Sequence, residues 1–301
     1  MTDRTLTETP VTVSAPTGAV PADGAPAGDA PADDILARAR TLSGYDDVSR
    51  IRQAQDHDWV LNLAPPFPSS VADLGCGTGA LLEAALERWP TVGRAVGVDG
   101  SGHRVREAGS RLTGRAELLV GDLLELPPLD DRFDVTFMTS VLHWLYPDED
   151  RAFAWIAAHL APGGAFVLTT HHPVTDAAGF GGEDVVARDA LRLLGVDDGL
   201  AGIVPMGVRA RPADDVWTLL ERHFEIAAFD ERHVPVRALG AAQYRDFHAS
   251  TFGTYFSRLL PAHRQQEFFE AAGEAAARRT AADGEVYGIT VRAWRAVPRP
   301  T

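Results

Sequence analysis

Between Val71 and Gly79 the chain reads Val-Ala-Asp-Leu-Gly-Cys-Gly-Thr-Gly, a short apolar run that must break at its glycines and restart as a helix. Leu81, Leu82, Ala85, Leu86 and Trp89 follow at helical spacing. Glycine lacks a Cβ, so it takes positive φ and admits a ligand close to the backbone. The helix that follows adds free N–H donors and a partial positive charge at its N-terminus. Such a strand, turn and helix belong at the carboxyl edge of a parallel sheet, where open α/β folds bind their ligands.

The rest of the chain keeps that rhythm. Strand patterns fall at Val71–Leu74, Arg94–Val98, Ala116–Val120, Phe133–Thr139 and Ala165–Thr170, with helices at about 79–89, 101–112 and 148–160 between them. Alternation of this kind predicts a parallel sheet covered by helices on both faces. Residues 1–33, rich in Thr, Ala, Pro and Gly, are expected to be a disordered tail. The remainder, 34–301, reads as one domain, opened by a helical cap over 34–65. Two segments, 171–211 and 239–283, interrupt the alternation and are expected to form a helical lid that carries the substrate contacts. A helix at about 213–223, a strand near Glu225–Phe229 and a last strand within Glu285–Val297 complete the pattern.

Composition narrows the chemistry. The net charge is −14 and all 28 basic residues are arginine, which excludes lysine Schiff-base mechanisms and makes nucleic acid a poor partner. A small molecule is the expected partner. No apolar run is long enough to span a membrane, and the tail lacks the pattern of a signal peptide. A single cysteine, Cys76, fits a reducing compartment, so a cytoplasmic protein is expected. Oligomeric state is not legible.

The loop's spacing is Gly75-x-Gly77-x-Gly79 rather than the G-x-G-x-x-G of dinucleotide folds. Asp99 ends the second strand 20 residues past Gly79, and Asp122 follows Gly121 at the end of the third. The fourth strand runs through Thr139 and Ser140 into Leu142-His143-Trp144, and Leu160-Ala161-Pro162-Gly163-Gly164 leads into the fifth. With these motifs in this order, over roughly 45–170, the chain resembles the class I S-adenosylmethionine-dependent methyltransferases, and more narrowly their small-molecule, trans-aconitate-methyltransferase-like branch.

The resemblance implies a Rossmann-like, doubly wound sheet of seven strands, mostly parallel with the last antiparallel, under a helical lid. It implies S-adenosyl-L-methionine as cofactor. Asp73, Gly75, Gly77 and Gly79 would surround its methionine end, Asp99 the ribose, and Asp122 with Leu123 the adenine, with Thr139 near the sulfonium. His143 is the candidate base, with His171 and His248 as lesser candidates. The substrate pocket is expected to draw on His143, Trp144, His172, Tyr244, Phe252 and Tyr255, although a packed role competes for each. Arg209, Arg211, Arg245 and Arg258 are candidates to clamp a substrate carboxylate. His171-His172 lacks the accompanying ligands of a metal centre, so none is expected. The implied reaction is methyl transfer to oxygen, of a hydroxyl or a carboxylate, ahead of carbon or nitrogen. Two other readings stay open: a cofactor-binding protein of the same fold that regulates, rearranges or cyclises without methyl transfer, and a nicotinamide-dependent oxidoreductase.

Overall fold

The computed structural model describes residues 57–196, 200–251 and 253–299. The expected tail, most of the 34–65 cap and Phe252 lie outside these residues. A short helix α1 (His57–Leu61) leads to β1 (Ser70–Leu74), α2 (Ala80–Arg88), β2 (Arg94–Asp99), α3 (Gly102–Leu112), β3 (Glu117–Val120) and β4 (Phe133–Thr139). Then come α4 (Leu142–Leu145), α5 (Glu149–His159), β5 (Leu160–Pro173), α6 (Glu183–Leu193), α7 (Met206–Arg209), α8 (Ala213–Glu221) and β6 (Phe224–Val236). Helices α9 (Ala241–Ser250), α10 (Gly253–Ser257) and α11 (Gln265–Asp283) precede β7 (Tyr287–Pro298).

The strands form one seven-stranded sheet in the order β3-β2-β1-β4-β5-β7-β6. Neighbours from β3 to β5 pair in parallel, and β7 runs antiparallel to both β5 and β6. Register aligns the strand tips: Asp73 lies opposite Gly97 on one side and Phe137 on the other. One face carries Trp59, the apolar stripes of α2 and α6, and the aromatics of α9 and α11. The other is filled by Phe153, Phe166, Phe224 and Trp294 beneath α5 and α8.

Three boundaries differ from the sequence reading. The Leu160–Gly164 segment is part of β5 itself: Phe133 pairs with Leu160 and Val135 with Ala165, so the intervening residues bulge from a continuous strand. Strands β5 and β6 run on to Pro173 and Val236 because β7 pairs with both along their extensions. Apolar periodicity does not report a pairing partner that arrives much later in the chain. The helical segment expected over 239–283 is divided into α9, α10, a 3₁₀ turn at Ala262–Arg264 and α11.

Phe224 is fully buried and its ring lies 5.4 Å from Phe166 and 6.4 Å from Phe153. Truncation leaves an aromatic-sized void under β5 and β6. Phe224→Ala is expected to lower unfolding free energy by about 3–5 kcal/mol, measured by urea denaturation.

Candidate active site

The glycine turn is shaped from the neighbouring strand. The Val98 carbonyl accepts from the N–H groups of Gly75 and Cys76, at 2.7 and 2.9 Å. The Asp99 carboxylate accepts from Gly77 N–H at 2.9 Å and from Ser101 N–H at 2.8 Å. These bonds fix positive φ at Gly75 (81°), Gly77 (54°) and Gly79 (80°), conformations that a side chain strains. At Gly75 space forbids one as well, since a Cβ would stand 2.2 Å from Val141 Cγ2.

Asp73 sits beneath the turn with no solvent exposure to speak of, and its Oδ1 has no hydrogen-bond partner among the described residues. Burial, with the Asp99 charge adding to it, raises its pKa to about 7. A buried carboxylate oxygen left unpaired beside an open glycine turn suits the ammonium of an amino-acid ligand. Asp99 uses one lone pair on each oxygen for the loop and keeps others for hydroxyl donors. Asp122 Oδ1 accepts from Leu124 N–H at 2.9 Å, which orders the turn where Leu123 is buried. Cys76 lies against Gly97, and burial beside Asp73 and Asp99 pushes its thiol up, so it fills space there.

Near this turn lies a small, partly open pocket. Val141, packed on Gly75, leads directly into α4, which carries His143 into the pocket wall. His171 enters from β5, and its Nε2 lies 3.2 Å from the Ser140 hydroxyl. Ser140 stands at the β4 tip with φ of 59°. Glu183, Met206, Tyr287 and Ile289 complete most of the wall. Glu183 is 2% exposed and its Oε1 accepts from the Tyr287 hydroxyl at 3.1 Å. Its neighbour Asp184 accepts from the N–H groups of Gly181 and Met206, so the first turn of α6 holds α7 against the pocket.

Of the described residues expected in catalysis or in the substrate pocket, His143 and His171 line this pocket, and Trp144, His172, Tyr244, His248 and Tyr255 do not. His172 faces the opposite side of β5, as alternation along a strand requires, with its ring 6.0 Å from Trp294. Burial lowers its pKa to about 4. Tyr244, fully buried, stacks on His248, and His248 stacks in turn on Phe256. The Tyr255 hydroxyl oxygen accepts from Val204 N–H at 2.9 Å. These side chains are the core of the helical layer formed by α6, α9, α10 and α11 rather than a wall facing substrate. Trp144 is half-buried beside His143, ring to ring 5.2 Å, without reaching the cavity.

The arginines are likewise spoken for. Arg211 pairs with Glu149 at 2.8 Å, Arg245 with Asp246 at 2.7 Å, and Arg258 lies over the Tyr255 ring at 4.5 Å. Arg209 is buried with its guanidinium over Tyr255 at 5.0 Å and Tyr146 at 5.9 Å. None of the four is among the residues that line the pocket. Among the described residues no group of three or more His, Cys, Asp or Glu side chains could hold a metal, and no helix is long and apolar enough to cross a membrane.

Residues 71–164 match the family model of a methyltransferase domain. The chain is 30% identical over 190 residues to the trans-aconitate 2-methyltransferase of Variovorax paradoxus, covering 60% of this chain and 70% of that one. Other relatives of the same name are matched over 38% and 40% of their length. Among solved structures, the mycolic acid cyclopropane synthase CmaA1, complexed with S-adenosylhomocysteine, superposes with a TM-score of 0.50 at 14% identity, over 88% of this chain and 94% of that one. The [4+2]-cyclase SpnF does so with a TM-score of 0.50 at 19% identity, over 81% and 80%. At such identities these two share the fold.

Gly75→Ala puts a methyl group into Val141 at a backbone angle that alanine resists. It is expected to weaken S-adenosylhomocysteine binding more than tenfold, by calorimetry, while far-ultraviolet circular dichroism stays that of the parent.

Proposed function

The chain belongs to the class I S-adenosylmethionine-dependent methyltransferases, and on that premise we propose that it methylates a small molecule held between His143, His171 and Tyr287. The observation that carries this reading is the Val141 contact, which joins the cofactor turn to the pocket wall. Asp73 and the turn glycines hold the methionine end of the cofactor, Asp99 the ribose, and Asp122 with Leu123 the adenine. S-Adenosylmethionine, when bound, supplies a methyl group on a good leaving group for in-line displacement.

The protein's share is alignment, exclusion of water and removal of a proton. His143 takes the proton from an acceptor hydroxyl. His171, next to the Ser140 hydroxyl, orients the acceptor from the β5 side, and Thr139 and Ser140 close the site at the β4 tip. Methylation at oxygen is the favoured outcome, because the pocket offers two imidazole side chains and an apolar wall from Met206 and Ile289. The lysine-free composition and the divergent helical layer support a place in secondary metabolism, and the single buried cysteine supports the cytoplasm as its compartment. Segments 171–211 and 239–283 work as the acceptor-specific part of a single domain.

Two measurements test the reading. Calorimetry is expected to show S-adenosylhomocysteine binding that Asp99→Ala weakens at least tenfold, because the variant loses both the ribose acceptor and the anchor of Gly77. Unchanged affinity in Asp99→Ala would overturn the site. Cofactor affinity is also expected to depend on pH through Asp73. Raised to about 7 in the free protein, its carboxyl is increasingly protonated as pH falls below that value. Affinity then falls from pH 8 to pH 6 with proton release on binding, and Asp73→Asn removes that dependence.

Without ligand, the same raised pKa makes unfolding free energy fall as pH rises from about 4 to 7, since the unfolded chain sheds the proton first. Asp73→Asn is expected to flatten that fall in urea titrations.

A further inference from the structure

Resting on the assignment of Asp122 and Leu123 to the adenine, we infer that Trp155 and His159 form a clasp that positions the adenine loop, and that it closes only while the His159 ring is uncharged. The loop, residues 121–132, joins β3 to β4. It turns back on itself at once: Asp122 accepts from Leu124 N–H through Oδ1 and from Glu125 N–H through its carbonyl, and Leu126 packs against Gly121. Its far arm is then caught by the end of α5. Trp155 Nε1 donates to the Pro127 carbonyl at 2.9 Å, and Leu129 N–H donates to His159 Nε2 at 2.9 Å. The two rings stack, their centroids 3.9 Å apart at 19°, so each steadies the other. Leu123 is buried in the core layer on which Leu124, Leu126 and Leu129 also pack. A shift at Leu129 is therefore carried back to the turn at Asp122.

The partners fix the proton. A backbone N–H can only donate and a carbonyl can only accept. Nε2 must therefore accept from Leu129, and the proton sits on Nδ1, which donates to the Trp155 carbonyl at 2.6 Å. That is a neutral imidazole in one tautomer, and it is buried. A second proton goes on Nε2 and points at the Leu129 N–H, which sets two donors face to face. The Trp155 bond survives, and the carboxyl end of a helix favours a cation, so the charged ring stays with α5 and releases the loop. The charged groups of the two segments that meet here are engaged or turned outward. Arg132 donates to the Ala158 and Leu160 carbonyls, Asp131 is held by Arg94, and Glu125 and Asp130 are exposed. Glu149 and Asp150 lie in the first turn of α5, at its other end. Histidine suits such a device because its charge changes within the physiological pH range.

The test compares affinities for S-adenosylhomocysteine, by calorimetry, at about pH 8 and about pH 5.5. His159→Phe keeps a ring against Trp155 and loses the acceptor. It is expected to bind about fivefold more weakly than the wild type at the higher pH, the worth of one hydrogen bond, and equally at the lower, where the wild type has lost the same bond. His159→Gln offers an uncharged acceptor in place of Nε2, and is expected to match the wild type at the higher pH and to bind more tightly at the lower. Titration of Asp73 is common to all three proteins and cancels in these ratios. A ratio of wild type to His159→Phe that is the same at both pH values marks packing alone and overturns the inference. So does a His159→Gln that gains nothing on acidification. Should the variants not fold, nuclear magnetic resonance of the wild type decides: the cofactor product is expected to lower the pH at which the His159 ring titrates, as reciprocity requires. The Leu123 and Leu124 amides are followed in the same spectra. If binding leaves them unmoved, the adenine assignment fails and the inference with it, whereas moved amides with an unmoved ring titration overturn the inference alone.

Discussion

The Asp99 carboxylate is the tie on which the site depends. It accepts from Gly77 in the turn after β1 and from Ser101 at the start of α3, binding two adjacent connections to one strand tip. Backbone N–H groups that a turn leaves unpaired must find acceptors if they are shielded from water. Here the acceptors come from the neighbouring strand, Val98 through its carbonyl and Asp99 through its side chain. The glycine turn is consequently a property of two strands in register, and neither strand alone specifies it.

That tie leaves Asp73 in an awkward place, buried beside a second carboxylate that is already engaged by the loop. Its raised pKa records the cost of holding an unpaired charge in a poorly solvated position. Asp134, at the opposite end of the sheet, shows the contrast. Burial pushes its carboxyl upward as well, but donors from Ser69 and Ser70 outweigh that and hold it below the usual range. One carboxylate has its partners in the chain and serves the fold. The other awaits a partner from outside.

The parallel half of the molecule was legible because each of its elements announces itself locally. Val71–Leu74 is an apolar strand, the glycines that end it cannot be anything but a turn, and the Asp99 and Asp122 positions follow from strand length. On the pocket side, the sequence reading and the pocket wall share His143, just past β4, and His171, near the end of β5. Tyr244, His248 and Tyr255 pack within the helical layer, and a helical stripe of aromatics looks the same in sequence whether it faces a cavity or another helix; here α9 packs on α11. Glu183 and Tyr287 were missed because they lie more than a hundred residues apart and meet only through the antiparallel β7. Acidic residues directly after Gly181-Gly182 are also what an ordinary helix start looks like. The available signal was that Glu183 and Asp184 are followed at once by the buried residues Val186 and Ala187, so that their side chains had to descend with the helix into the interior.

The extension of β5, β6 and β7 beyond the parallel sheet has an evolutionary consequence. The cofactor turn and its carboxylates all precede residue 124, whereas Glu183, Met206, Tyr287 and Ile289 come from the chain after β5. Substitutions in groups that share no partner act nearly independently. Descendants of this chain can therefore trade one acceptor for another largely by changing the late segments, with the methyl-donor machinery inherited intact and Val141 a contact at which the two histories must agree.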